Sequence, residues 1–136
     1  MKICSKSFII DKYGVFFGKT LEEAARISDA PLPGCFPEES SATQYISKSA
    51  AEGAVVRRRR DGDVIRPFGM EGTKKLGDWF TDKKVPMQKR DAAPIVEQNG
   101  RIIWVVGYGL SEYARAGEEG AVKVEFGYEN GEERDV

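Results

Sequence analysis

Histidine is absent from the 136 residues. That removes Ser-His-Asp and Cys-His catalysis and every zinc site that needs an imidazole. The two cysteines, Cys4 and Cys35, are too few for a four-sulfur zinc site, and they read as two buried, unpaired thiols. Asp61 and Asp63 form a carboxylate pair, but they sit in a turn beside four arginines that would neutralise them. Nothing there raises a carboxyl pKa for acid/base work. The chemistry that remains is cationic. Residues 57–90 hold eleven Lys/Arg and five Asp/Glu, a local charge of +6, against ten basic and seventeen acidic residues elsewhere, −7. A chain with net charge −1 can therefore still present a basic face.

The candidate anion ligands are Arg57, Arg58, Arg59, Arg60, Arg66, Thr73, Lys74, Lys75, Lys83, Lys84, Lys89 and Arg90. On a strand, successive arginines alternate faces, so Arg57 and Arg59 would point one way and Arg58 and Arg60 the other. The planar guanidinium fork suits bidentate contact with phosphate or carboxylate. Gly69, Gly72, Thr73, Lys74 and Lys75 place glycines, a hydroxyl and two amines at an expected helix start, where free amides favour an anion. This is not a nucleotide P-loop, because only two residues separate Gly69 from Gly72. The plainer alternative makes Lys74 and Lys75 a solvated helix face pairing with Asp78.

The elements that must position these groups lean toward strand. Val and Ile total twenty and Leu only four, so the core is expected to be built largely from strands. Residues 3–10 read as a strand, 11–14 as a turn and 15–17 as the returning arm of a hairpin. Thr20 and Glu23 fit a capping box opening a helix to about Ser28. Three prolines between Ala30 and Pro37 exclude helix, so 29–43 reads as an internal linker or long loop. Residues 54–60 read as a strand running into a turn at Asp61, Gly62 and Asp63, with Gly62 and Gly69 at positive φ. Thr73 is expected to cap a helix to about Asp82, on which Leu76, Trp79 and Phe80 form one buried stripe. Pro86 opens another helical turn through Arg90. Residues 94–96, then Asn99-Gly100, then 101–106 form a strong hairpin signal. Trp104 is expected in the core. Tyr108 and Tyr113 are candidates to stack on a base. Residues 122–126 alternate apolar and charged, a half-exposed strand, and 129–136 form an acidic tail.

The longest apolar run, 102–106, has five residues, far short of a membrane span. The first ten residues lack a signal-peptide core. The expectation is one domain, 1–136, in the cytoplasm, without a membrane partner.

At 55–113 the chain resembles the C-terminal domain of the bacterial tRNA(Ile)-lysidine synthetases. The matching residues are Arg57, Arg59, Gly62 and Asp63, then Arg66-Pro67, Gly69-Met70 and Gly72-Thr73-Lys74-Lys75. Asp78, Phe80 and Asp82 follow, then Lys84-Val85-Pro86, Arg90-Asp91 and Pro94. Ile103-Trp104-Val105, Gly107 and Ser111-Glu112 continue the pattern. Residues 1–54 carry no assignable motif.

The resemblance implies an α+β fold, a three-layer arrangement around a β-sandwich of unusual topology with short helices, shared with a module of the phenylalanyl-tRNA synthetase β subunit. It implies a role in binding tRNA(Ile) for ATP-dependent attachment of lysine to the wobble cytidine by a separate N-terminal PP-loop domain. The Ser-Gly-Gly-x-Asp-Ser signature of that domain is missing, so the chain reads as a separated, non-catalytic C-terminal piece of a carbon-nitrogen ligase. No cofactor is expected in this chain; the family uses ATP, Mg and lysine. The expected partners are tRNA(Ile), the N-terminal catalytic domain of the same enzyme and, left open, a second copy in a homodimer. The alternative function is a protein-interaction module docking on its own catalytic domain or on an acidic partner. A hydrolytic editing pocket is a third reading, weakened by the missing histidine and nucleophile.

Overall fold

The computed structural model describes residues 16–117 and 119–126. The expected strand at 3–10, the turn at 11–14, Cys4 and the acidic tail lie outside the described residues.

The chain opens with α1 (Leu21–Ala24), capped reciprocally: the Glu23 amide donates to Thr20 Oγ1 at 3.2 Å and the Thr20 amide donates to Glu23 Oε1 at 3.0 Å. The capping box is as expected, but the helix stops after four residues. Ala25 turns extended (φ −139°, ψ 162°), and β1 (Arg26–Asp29) follows, paired antiparallel with β9 (Ala121–Glu125). Sheet pairing overrides helical propensity there. Residues 30–42 carry no helix or strand and lead to β2 (Thr43–Ser47), which pairs with the other edge of β9. The first sheet is thus β1-β9-β2.

After α2 (Lys48–Ala51), β3 (Val55–Arg57) enters a second sheet with β6 (Ile95–Gln98), β7 (Arg101–Val105) and β8 (Gly109–Leu110), in the order β3-β6-β7-β8. The β6–β7 turn is Asn99-Gly100 with φ of 52° and 82°, the two positive values a tight hairpin turn requires. A small third sheet pairs β4 (Val64–Ile65) with β5 (Lys74–Lys75). Then come α3 (Leu76–Asp82), α4 (Met87–Arg90) and a single 3₁₀ turn, Glu112–Ala114. Among the described residues no helix is long and apolar enough to cross a membrane.

The β6–β7 hairpin is buried on both faces. Val96 and its cross-strand partner Trp104 join one core cluster with Ile46, Val124 and Phe126. Ile95 and its partner Val105 join a second with Leu76, Trp79 and Phe80. The four-stranded sheet is therefore sandwiched between the three-stranded sheet and α3. The fold is α+β with several small sheets and short helices, as the sequence analysis expected. The Leu76, Trp79 and Phe80 stripe is buried at 2%, 4% and 0% exposure. Trp104 is fully buried and meets Phe126 edge-on at 5.6 Å.

Two further expectations change. The arginine run is not a strand: β3 ends at Arg57, so residues 58–60 do not alternate across a sheet. Cys35 is an exposed thiol rather than a buried one.

Candidate nucleic-acid interface

Asp63 organises the start of the basic stretch. Its carboxylate accepts the Arg60 amide at 2.7 Å and the Arg57 guanidinium at 2.9 and 3.1 Å. Arg57 Nε also pairs with Glu97 on the neighbouring strand. Burial works to lower the Arg57 pKa, but the hydrogen bonds to Asp63 and Glu97 outweigh it and leave that pKa raised. With its side chain 11% exposed, Arg57 is committed to the fold and is not offered to a polyanion. Arg90 is committed too. It is buried, donates to the carbonyls of Val85 and Gly77 and to Thr81 Oγ1, and lies 5.5 Å from the Phe80 ring centroid.

Three other cations have carboxylate partners. Arg59 Nε donates to Asp91 at 2.7 Å, Lys83 Nζ donates to Glu39 at 2.8 Å, and Lys74 pairs with Asp82. The expected helix-start site is not built. Lys74 and Lys75 are strand residues, and α3 begins only at Leu76. Its first amide donates to the Asp63 carbonyl at 2.9 Å. Thr73 is exposed and caps nothing; Lys75 occupies the N-cap position without a side-chain cap.

The remaining cations face outward. Arg58 lies 4.2 Å from the Phe17 ring centroid and donates to the Asp91 carbonyl at 3.1 Å. Arg60 is 67% exposed, with only a long 3.9 Å approach to Glu97. Lys75, Lys84 and Lys89 are exposed and have no carboxylate at ion-pair distance among the described residues.

Arg59, Arg60 and Lys75 line one cleft of about 360 Å³ between the 59–64 turn and the start of α3, together with Asp61, Asp63 and Asp78. Arg58 and Arg59 both reach Asp91, which brings residues 58–59 beside the end of α4, while Asp61 and Asp78 share the cleft with Arg60 and Lys75. Asp63 is saturated by Arg57 and the Arg60 amide, which reduces the negative charge it contributes to that cleft. Lys84 sits in the α3–α4 turn with φ 60° and does not line that cleft.

A second cluster joins Arg66 and Tyr113, both named from sequence, to Arg101, Arg115 and Phe68, which sequence reasoning missed. Arg66 and Arg101 lie 5.7 and 4.9 Å from the Tyr113 ring centroid, and Arg115 lies 4.2 Å from that of Phe68. Arg66 Nε also donates to the Met70 carbonyl at 3.2 Å. Arg115 pairs with Glu112, which also accepts the Gly69 amide at 2.7 Å. These hydrogen bonds, from Arg115 first and then Gly69, hold the Glu112 carboxyl down from 4.5 to about 2. Arg101 and Arg115 stand far from the basic run in sequence. The Pro67–Ser111 bridge, the Glu112 amide's bond to the Arg66 carbonyl and β7 bring them beside it. Tyr108 packs edge-on to Phe80 at 6.0 Å, and burial raises its phenol pKa. Among the described residues no group of three His, Cys, Asp or Glu is placed to hold a metal ion.

The model of the TilS substrate C-terminal domain family matches residues 54–126. The tRNA(Ile)-lysidine synthase of Caldanaerobacter subterraneus subsp. tengcongensis is 52% identical over 58 residues, 43% of this chain and 12% of that protein. The Bacillus subtilis tRNA(Ile)-lysidine synthase is 38% identical over 100 residues, 71% of this chain and 20% of that protein. The chain thus spans between 12% and 20% of the length of these two relatives. A crystal structure of a TilS C-terminal domain superposes with a TM-score of 0.57 at 28% identity, covering 79% of this chain and 86% of that one. With more than half of its residues inside the family model and the fold shared, the chain belongs to the TilS substrate C-terminal domain family.

Proposed function

We propose that this chain is the RNA-holding module of a tRNA(Ile)-lysidine synthase, gripping tRNA(Ile) while a separate N-terminal domain attaches lysine to the wobble cytidine. ATP, Mg and lysine would be handled by that domain, and the module itself would be non-catalytic. The observation that carries the reading is the set of exposed cations Arg58, Arg60, Lys75 and Lys89, of which Arg60 and Lys75 share one cleft, and which stay available while Arg57 and Arg90 are committed to the fold. Contacts of this kind orient the duplex without reading its sequence.

If about four phosphates are neutralised, log affinity against log salt falls with a slope of roughly −2.8 to −3.6. Arg60→Glu with Lys75→Glu should make that slope shallower by about 1.4–1.8 and leave the folded spectrum unchanged, because both side chains are exposed. A filter-binding or anisotropy titration across salt checks both. A flat salt response rejects the reading, and retention by the catalytic domain without tRNA binding would favour the docking alternative.

A further inference from the structure

Gln44 is 2% exposed, yet only half of its amide is satisfied. Its Nε2 donates to the carbonyls of Pro37 and Glu38 at 3.4 and 3.2 Å. Its Oε1 has no partner. The two carbonyls fix the orientation, since a flipped amide would set oxygen against oxygen. A buried acceptor left empty is destabilising, and the group that would fill it must donate an N–H or O–H.

Gln44 lines a small pocket with Phe36, Pro37, Glu39, Phe68 and Leu110, of about 130 Å³. That is well under the roughly 300 Å³ of a drug-sized site and fits one flat ring system. Phe36 and Phe68 are 43% and 41% exposed, unusual for phenylalanine in a soluble fold. Arg115, paired with Glu112, lies over Phe68, and Lys83 neutralises Glu39 in the lining. Outside the lining, Arg66 and Arg101 lie over Tyr113. Neither Arg66 nor Arg101 has a carboxylate at ion-pair distance among the described residues.

We infer that this pocket takes an unpaired RNA base. One aromatic face stacks on Phe68 or Phe36, a base N–H donates to Gln44 Oε1, and the flanking phosphates meet Arg66 and Arg101. Aromatic stacking and a single edge contact are the means by which proteins hold single-stranded RNA, in contrast to the phosphate grip on a duplex. Oε1 is covered in this structure, so the base edge reaches it by displacing the exposed Phe36 side chain while the Nε2 bonds to Pro37 and Glu38 stay in place. This inference rests on the RNA-binding reading and adds a second, base-dependent contact to it.

The test measures affinity of the full 136-residue chain for three RNA hairpins with one stem: blunt, with an overhang of adenosines, and with an abasic overhang of equal length. The adenosine overhang should bind about tenfold or more tighter than the abasic one at equal salt. Phe68→Ala should erase that preference and leave abasic and blunt binding unchanged. Gln44→Leu should also erase it; if that variant fails to fold, the exposed Phe68→Ala decides. Equal affinity for base and abasic overhangs, or a preference that survives Phe68→Ala, overturns the pocket and returns its phenylalanines to a protein-docking face. In that case salt-dependent binding of all three hairpins leaves the RNA reading standing. No binding of any hairpin defeats both.

Discussion

Arg57 holds two carboxylates, and its loss leaves Asp63 and Glu97 facing each other at the edge of β3 and β6. Arg57→Met should destabilise the fold by about 2–4 kcal/mol, because one side of a half-buried pair is removed and the other left. Urea denaturation measures it. Arg60→Met, on an exposed side chain, should change stability by less than about 0.5 kcal/mol. Neighbouring arginines thus have opposite jobs, and the run of four cannot reveal which is which. The assignment depends on Asp63 and Glu97, of which Glu97 is forty positions from Arg57. Glu112 makes a pH prediction. Its folded carboxyl titrates at about 2 against 4.5 when unperturbed. A depressed carboxyl contributes stability that is fully present above 4.5 and is lost as pH falls from there toward 2. Glu112→Gln should flatten the acid limb of the stability profile across that window. An unchanged profile would show the carboxylate to be solvated instead.

Among the elements, the β6–β7 hairpin was legible because its signal is local: Asn99-Gly100 supplies both positive φ values, and apolar arms flank it. Gly100→Ala should cost about 1 kcal/mol, read as a fall in melting temperature, since φ of 82° strains any side chain with a β-carbon. The buried stripe of α3 and the turn of helix after Pro86 were legible for the same reason. The β1 strand was not. Arg26–Asp29 continues a good helix signal and becomes strand only because residues nearly a hundred positions later lie beside it. The start of α3 shifted on similar grounds. Lys74 and Lys75 pair with Ile65 and Val64, which delays the helix to Leu76 and removes the anticipated cluster of amides. The candidate site changed too: Arg90 turned inward onto carbonyls and a hydroxyl 5 to 13 positions away, and Arg101 and Arg115 joined from outside the run.

At the scale of the whole molecule, the family match begins at residue 54, but the structural unit begins earlier. Leu21 and Ile46 are fully buried in the same cluster as Val124 and Phe126. A fragment of residues 54–126 should therefore keep the second cluster but lose the first, which needs Leu21 and Ile46. The near-ultraviolet circular dichroism of Trp104 and its neighbours should weaken and their NMR signals broaden relative to the full chain. A well-dispersed fragment would show that β1 and β2 are accessories.

Because β9 lies between β1 and β2, neither early strand has its sheet neighbour until residue 125 has left the ribosome. The nascent polypeptide must carry both segments unzipped while the residues between them and β9 are made. Closure of that sheet is a late event, governed by how quickly the final strand finds its slot, and the interval before it is when the newborn chain is most exposed to aggregation and to chaperone capture.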